Sequence, residues 1–214
     1  MLADDHAIIR QGLCALLNAD GRFWLVGEAR TGREAVEMAR TLRPDVILMD
    51  IAMPVLNGVE ATRQILAANP AAKVIIVSAH SEEEYVERTS RAGVAGFIEK
   101  QAPIEMLIAA IRLVAEGKTF FSPAIAKRLP KDSDKSQGQD GLLNLTSRQA
   151  EVLQLTAEGL CNKQVAAKLG ISIKTVEKHR QQLMDKLNIH NIAGLTRYAI
   201  GAGVIESSVQ LNIV

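Results

Sequence analysis

The sequence predicts an α/β fold, a doubly wound five-stranded parallel sheet, followed by a small all-α domain. Three observations predict it. Apolar, β-branched runs alternate with segments of helical period from residue 1 to about 118. Residues 130–141 (PKDSDKSQGQDG) contain no large apolar side chain. Beyond them, helical period alone continues to about residue 202.

The strand-like runs are 23–29 (FWLVGEA), 45–49 (DVILM), 73–78 (KVIIVS) and 96–99 (GFIE). They carry little polar alternation, as strands buried on both faces do. Amphipathic segments at 8–17, 32–42, 59–68, 82–92 and 103–116 separate them, which predicts βαβ units with helices on both faces of the sheet. The first strand is nearly absent, because only Met1, Leu2 and Ala3 precede the acidic pair Asp4 and Asp5. An interior strand that short would misplace the pair, so the expectation is a misassigned start or residues missing upstream. Residues 130–141 cannot bury enough apolar surface to offset the entropy of ordering and read as a flexible linker. Helices are expected after it at 147–158, 162–169, 172–187 and 192–202, and no internal repeat is present.

Apolar residues at 48% and charged residues at 23% of the 214 fit an ordinary globular protein and exclude a disordered one. No apolar run approaches the length that spans a bilayer, and the start lacks a basic segment followed by an apolar core. The expectation is a cytoplasmic protein without signal peptide or membrane contact. Cys14 and Cys161 have no ligand-like spacing and read as reduced packing residues. The net charge of +1 hides an asymmetry: residues 144–214 carry eight Lys and Arg against five Asp and Glu. A basic tail is what a phosphate-binding module needs, although such a balance is common in small domains.

Parallel α/β sheets place their sites at the carboxyl ends of the strands. The residues expected there are Asp4, Asp5, Asp50, Ser78 and Lys100. Three carboxylates in one pocket repel one another unless a cation holds them. A hard divalent ion such as Mg²⁺ resolves that conflict and leaves positions open for phosphoryl oxygens. One carboxylate can then attack phosphorus, with Lys100 and the Ser78 hydroxyl on the equatorial oxygens. Taken singly, each residue has an ordinary reading: a solvated acidic pair, a turn serine, a surface lysine. Their joint placement at strand ends is what argues for chemistry. His6 and His80 lie near the same rim and read as solvated or capping residues, and Trp24 as packing.

The segments ADDHAIIRQGL, PDVILMDIAMPVLNGVE, VIIVSAH and GFIEK resemble, in order and spacing, the signatures of response-regulator receiver domains, which are flavodoxin-like. The resemblance spans Met1 to about Lys118. It implies that Asp50 accepts a phosphoryl group from a histidine kinase, and that Asp4, Asp5, Asp50 and the backbone carbonyl of Ala52 hold Mg²⁺. It also implies that Lys100 and Ser78 contact the phosphoryl group, and that Phe97 is the aromatic that swings inward when the hydroxyl is drawn to it. Pro54 and Gly58 match residues that shape the loop after the acceptor. An enzyme reading, an Asp-nucleophile phosphohydrolase of the haloacid dehalogenase type, needs a second Asp two residues after the first. Ala52 stands there and cannot move protons. The chain is therefore read as a regulator rather than an enzyme.

In the second half, Asn162 can cap a short helix, Gly170 supplies a turn, and Ser172 can cap a longer helix with Val176, Leu183 and Leu187 on one face. An apolar back and a polar, partly basic front suit insertion into the major groove of DNA. LTSRQAEVLQL, AEGLCNKQVAAKL and ISIKTVEKHRQQLMDKL resemble the helix-turn-helix output domain of LuxR- and NarL/FixJ-type regulators, across about 145–202. The resemblance implies a scaffold helix at 162–169 and a recognition helix at 172–187. Lys163, Lys174 and Thr175 are then expected on phosphates, and Glu177, Lys178 and Gln181 on base edges. Glu177 either accepts from cytosine N4 or stays out of the groove, and His179 either meets a phosphate or packs. The last helix resembles the family's dimerisation helix.

The expected organisation is a receiver at 1–118, a linker at 119–143 and a LuxR-type domain at 144–214. Unphosphorylated receiver is expected to mask the recognition helix or prevent dimerisation, and phosphorylation to give a homodimer on double-stranded DNA. The alternatives are a phosphorylation-independent transcription factor with a degenerate receiver and a quorum-type factor. A charged strand-end pocket, in place of an apolar cavity, argues against the latter.

Overall fold

The structure, a computed structural model, describes residues 1–79, 83–129 and 145–205. The chain divides into two compact units, Met1–Ser136 and Gln137–Val214. In the first, the elements run β1 (Leu2–Ala3), α1 (Ala7–Asp20), β2 (Glu28–Ala29), α2 (Gly32–Leu42), β3 (Ile47–Met49) and α3 (Gly58–Ala68). They continue with β4 (Val74–Ser78), α4 (Glu83–Arg91), β5 (Gly96–Glu99), α5 (Ile104–Ala115), β6 (Phe120–Phe121) and the short α6 (Pro123–Ala126). The strand order is β2-β1-β3-β4-β5-β6 and every neighbouring pair is parallel. The order reverses between β1 and β3, and the crevice at the carboxyl ends of those two strands is where such sheets bind ligands.

Strand alternation splits the core into two layers. Leu2, Leu48, Ile75, Val77 and Ile98 face one side, against Leu17 of α1 and Leu107, Ile111 and Val114 of α5. Ala3, Ile47, Met49, Ile76 and Phe97 face the other, against α2, α3 and Val86 of α4. Local signals fix the helix starts. The Thr31 hydroxyl accepts from Glu34 N at 3.1 Å, and the Glu34 carboxylate accepts from Arg30 N at 2.7 Å, a reciprocal cap for α2. Asn57 caps α3 by accepting from Glu60 N at 3.0 Å.

The sheet has six strands where five were expected. Phe120–Phe121 pairs with Gly96–Phe97, and Ile125 of α6 is fully buried in the core. The described part of the expected 119–143 linker, residues 119–129, therefore belongs to the first unit; residues 130–143 lie outside the described residues. Gly96 makes that pairing fit, since a Cβ there would lie 2.7 Å from Phe120 O. The first strand is as short as expected. Because β1 spans two residues, only Glu28 and Ala29 of the run at 23–29 find ladder partners.

The second unit contains α7 (Ser147–Ala157), α8 (Asn162–Leu169), α9 (Ile173–Leu187) and α10 (Ile192–Gly201). Thr146 and Gln149 form a capping box for α7, and Gly170 closes α8 in the left-handed region at φ 64°. Leu145, Leu153, Leu183, Leu195 and Ala199 form a separate core. Among the described residues, no helix is long and apolar enough to cross a membrane.

Candidate functional site

Each residue of the acidic pocket stands just beyond or at the end of a strand. Asp4 and Asp5 follow β1, Asp50 follows β3, Ser78 ends β4 and Lys100 follows β5. Asp4 and Asp50 are buried at 2% and 3% exposure. Lys100 Nζ donates to Asp50 Oδ2 at 2.7 Å and lies 3.0 Å from Asp4 Oδ2. Asp50 Oδ1 accepts from Ile51 N at 2.8 Å. Ligand atoms of Asp4, Asp5, His6 and Asp50 all lie within 4.8 Å of one another. The Asp5 and His6 side chains form the wet rim, and Asp4 and Asp50 the floor.

The electrostatics follow from that burial. Removal from water pushes the Asp50 carboxyl up to about 6, against the pull of Lys100 and with help from Asp4. Burial alone would lower the Lys100 ammonium, but Asp50 and Asp4 beside it outweigh that and hold it above its ordinary value. One lysine therefore does not fully offset the carboxylates. A divalent cation would, and this all-oxygen carboxylate set is the donor chemistry that Mg²⁺ takes. Ala52, whose carbonyl was expected to join the set, is half-buried two residues beyond Asp50.

Ser78 and Phe97 are both fully buried. Ile76 pairs with Phe97 in register, so Ser78, two residues on, points to the same face of the sheet as the Phe97 ring. The loop between β3 and α3 is drawn tightly under Asp50: Gly58 N donates to Ile51 O at 2.8 Å, and a Cβ on Gly58 would lie 1.8 Å from Asp50 O. Val55 in that loop has φ 72°, an unfavourable conformation for a β-branched residue.

In the second unit, Ser172 caps α9 by accepting from Thr175 N at 3.1 Å, and its hydroxyl lies 2.8 Å from that of Thr175. Arg180 reaches across to Asn162 Oδ1 at 3.1 Å and ties α9 to the start of α8. Val176 and Leu183 are fully buried. Lys174, Glu177, Lys178 and Gln181 recur at helical spacing along the opposite, exposed side, and Lys163 is exposed on α8. Gln181 Nε2 donates to Asp185 Oδ1 at 2.9 Å. Thr175 and His179 are half-buried, and His179 Nδ1 is enclosed without a hydrogen-bond partner.

Residues 1–112 match the response regulator receiver domain, and residues 143–199 match the bacterial regulatory proteins of the luxR family. The chain is a response regulator. It is 37% identical over 213 residues to the oxygen regulatory protein NreC of Staphylococcus carnosus, covering 96% of this chain and 98% of that one. It is 33% identical over 207 residues to the transcriptional regulatory protein DegU of Brevibacillus brevis, covering 89% and 88%. A LuxR-family response regulator from Aurantimonas sp. is similar in structure at 33% identity and a TM-score of 0.58, over 60% of this chain and 91% of that one. RcsB of Salmonella typhimurium is similar at 26% identity and a TM-score of 0.56, over 92% and 95%.

One residue of this response regulator's pocket is not legible in the sequence, and another is only partly so. His6 stands on the rim, one of its two expected readings; it makes no side-chain cap to α1 and turns Nδ1 to Asp5 Oδ1 at 2.9 Å. Arg10, buried at 6% exposure, donates to Asp4 O at 2.8 Å and to Glu28 Oε2 at 3.3 Å. It locks the turn carrying the acidic pair to β2. The only sequence signal for Arg10 is a cation on the inward side of an amphipathic helix.

Proposed function

We propose that this response regulator receives a phosphoryl group on Asp50 from a histidine kinase and, once phosphorylated, binds promoter DNA as a homodimer. The observation that carries the reading is the pocket itself: a buried carboxylate at the end of β3, hydrogen-bonded to Lys100 and facing Asp4 and Asp5. An Asp50 oxygen forms the bond to phosphorus while the bond from phosphorus to the donor's nitrogen breaks, and that nitrogen leaves with the electron pair. Lys100 offsets charge on the equatorial oxygens, and the Ser78 hydroxyl donates to one of them. Asp4, Asp5, Asp50 and the Ala52 carbonyl would hold Mg²⁺, which when bound supplies positive charge to the carboxylates and the phosphoryl oxygens. Drawing Ser78 towards the phosphoryl group frees space for Phe97 on the same face of the sheet.

In the output domain, Lys163, Lys174 and Thr175 are assigned to phosphates and Glu177, Lys178 and Gln181 to base edges. The exposed helical stripe on α9, backed by Val176 and Leu183, supports this assignment. Solved RcsB structures include two RcsB dimers bound to two parallel DNAs, a protein 25% identical to this chain with a TM-score of 0.57. We assign residues 1–129 to the receiver, so that the linker starts after α6. Regulation of transcription from promoter DNA puts the protein in the cytoplasm.

The test is intact mass after incubation with Mg²⁺ and acetyl phosphate, wild type beside Asp50→Ala. One phosphate adduct on wild type alone is expected. An adduct on both proteins, or on neither, would remove Asp50 as acceptor.

A further inference from the structure

The acidic pocket contains one more donor than its carboxylates. His6 Nδ1 lies 2.9 Å from Asp5 Oδ1, 3.4 Å from Asp4 Oδ1 and 4.0 Å from Asp50 Oδ2. The nitrogen thus stands over the same group of oxygens that fit a divalent cation. The backbone holds it there. His6 N donates to Asp4 Oδ1 at 2.8 Å, and Arg10 N donates to His6 O at 3.0 Å while the Arg10 guanidinium grips Asp4 O. The first turn of α1 is therefore pinned to the carboxylate that it faces.

Distances and exposure both suit a ligand. Around a six-coordinate ion with bonds of about 2.1 Å, neighbouring donors stand roughly 3 Å apart and opposite donors about 4.2 Å. The separations from Nδ1 to the three carboxylates fall within that span. The imidazole is half-exposed at 54% and Asp5 is at 33%, so both can turn towards an ion from the solvent side without rearranging the buried floor. A nitrogen donor changes what such a pocket prefers. Mg²⁺ takes oxygen ligands and gives up its water reluctantly, whereas imidazole adds affinity for borderline first-row ions.

We propose that His6 Nδ1 is a fifth protein ligand of this pocket, replacing a water and biasing the site from Mg²⁺ towards a first-row transition ion such as Mn²⁺. This rests on the reading of the pocket as a divalent-cation site. Because the His6 side chain caps nothing, its removal leaves the start of α1 intact.

The experiment uses the full-length protein: calorimetric titration with Mg²⁺ and with Mn²⁺, and pulsed electron paramagnetic resonance of the bound Mn²⁺. Wild type, His6→Ala and Asp50→Ala are compared. Wild type is expected to bind Mn²⁺ more tightly than Mg²⁺ and to show nitrogen hyperfine coupling to the bound ion. His6→Ala should lose that coupling and at least about tenfold in Mn²⁺ affinity, the loss that even an outer-shell partner brings, with a smaller change for Mg²⁺. Asp50→Ala should lose both binding and coupling, which ties the signal to this pocket. Mn²⁺ affinity unchanged or raised in His6→Ala, or no nitrogen coupling in wild type, overturns the ligand and leaves His6 as a polar contact of Asp5. Wild type that binds neither ion overturns the cation reading as well, a result distinct from the other two.

Discussion

In the role proposed for it, Asp50 is held between opposing demands: it must be buried enough to exclude water from a phosphoryl bond, yet ionised enough to attack phosphorus. Burial raises its carboxyl to about 6, and Lys100 is the closest group working against that rise. Lys100→Met keeps the apolar stem and removes the charge, leaving Asp4 and Asp50 facing each other uncompensated. Phosphorylation of Asp50 from acetyl phosphate is expected to slow by roughly a hundredfold, the scale of losing one preorganised charge stabiliser, as read from the time course of intact mass. Gly58 acts on the same residue through the backbone. A methyl group there would meet Asp50 O at 1.8 Å, and a backbone atom cannot step aside as a side-chain end can. Gly58→Ala is expected to cost about 3 kcal/mol or more in urea unfolding, because the clash must be relieved by moving the acceptor strand or α3.

Elements with strong local signals were legible in the sequence, and those set by long-range contacts were not. The bounds of α2, α8 and β5 match the expected 32–42, 162–169 and 96–99, although the residue that caps α8 is Cys161, one before the expected Asn162. β6 escaped notice because two residues carry no period; its cue is Phe120–Phe121 soon after Gly117, which has φ 85° at the end of α5. β2 is shorter than its apolar run because strand length depends on the neighbour, and β1 offers two residues. Within the pocket, Asp50 and Lys100 are 50 residues apart and are joined only by the sheet order, so their meeting was inferred from strand ends. The Arg10–Glu28 contact crosses 18 residues between a helix and an adjoining strand, and nothing local announces it. For α9 the legible stripe leads to a separable prediction. Lys174→Ala is expected to weaken binding to all duplexes alike and to reduce the slope of affinity against salt by about 1. Gln181→Ala is expected to cost about 1–3 kcal/mol on the preferred sequence and much less elsewhere, measured by fluorescence anisotropy on matched and scrambled duplexes. Gln181 must give up Asp185 to reach a base, which places its contribution at the lower end of that range.

Two units with separate cores make the phosphoryl signal a question of coupling between domains. Phosphorylation would replace the single charge of the carboxylate by the double charge of a phosphoryl group, a gain of about one negative charge, and the Ser78–Phe97 face of the sheet is where that change can be felt in packing. A ligand moves an equilibrium only by its differential affinity for the two states, and couplings between sites are typically about 1–3 kcal/mol. Full-length protein treated with acetyl phosphate and Mg²⁺ is therefore expected to bind its DNA about 5–150-fold more tightly than untreated protein. Dimerisation on a two-fold site adds to this by raising the effective concentration of the second output domain. Asp50→Ala should show no response, and a fragment of residues 143–214, which carries its own core, should bind with the same affinity with or without phosphodonor. The comparison of fragment with untreated full-length protein then separates two mechanisms. A fragment that binds more tightly than the untreated whole means the receiver masks the recognition helix. A fragment that binds as weakly means the receiver acts by bringing two output domains together. Full-length Asp50→Ala that dimerises and binds DNA as well as phosphorylated wild type would sink both.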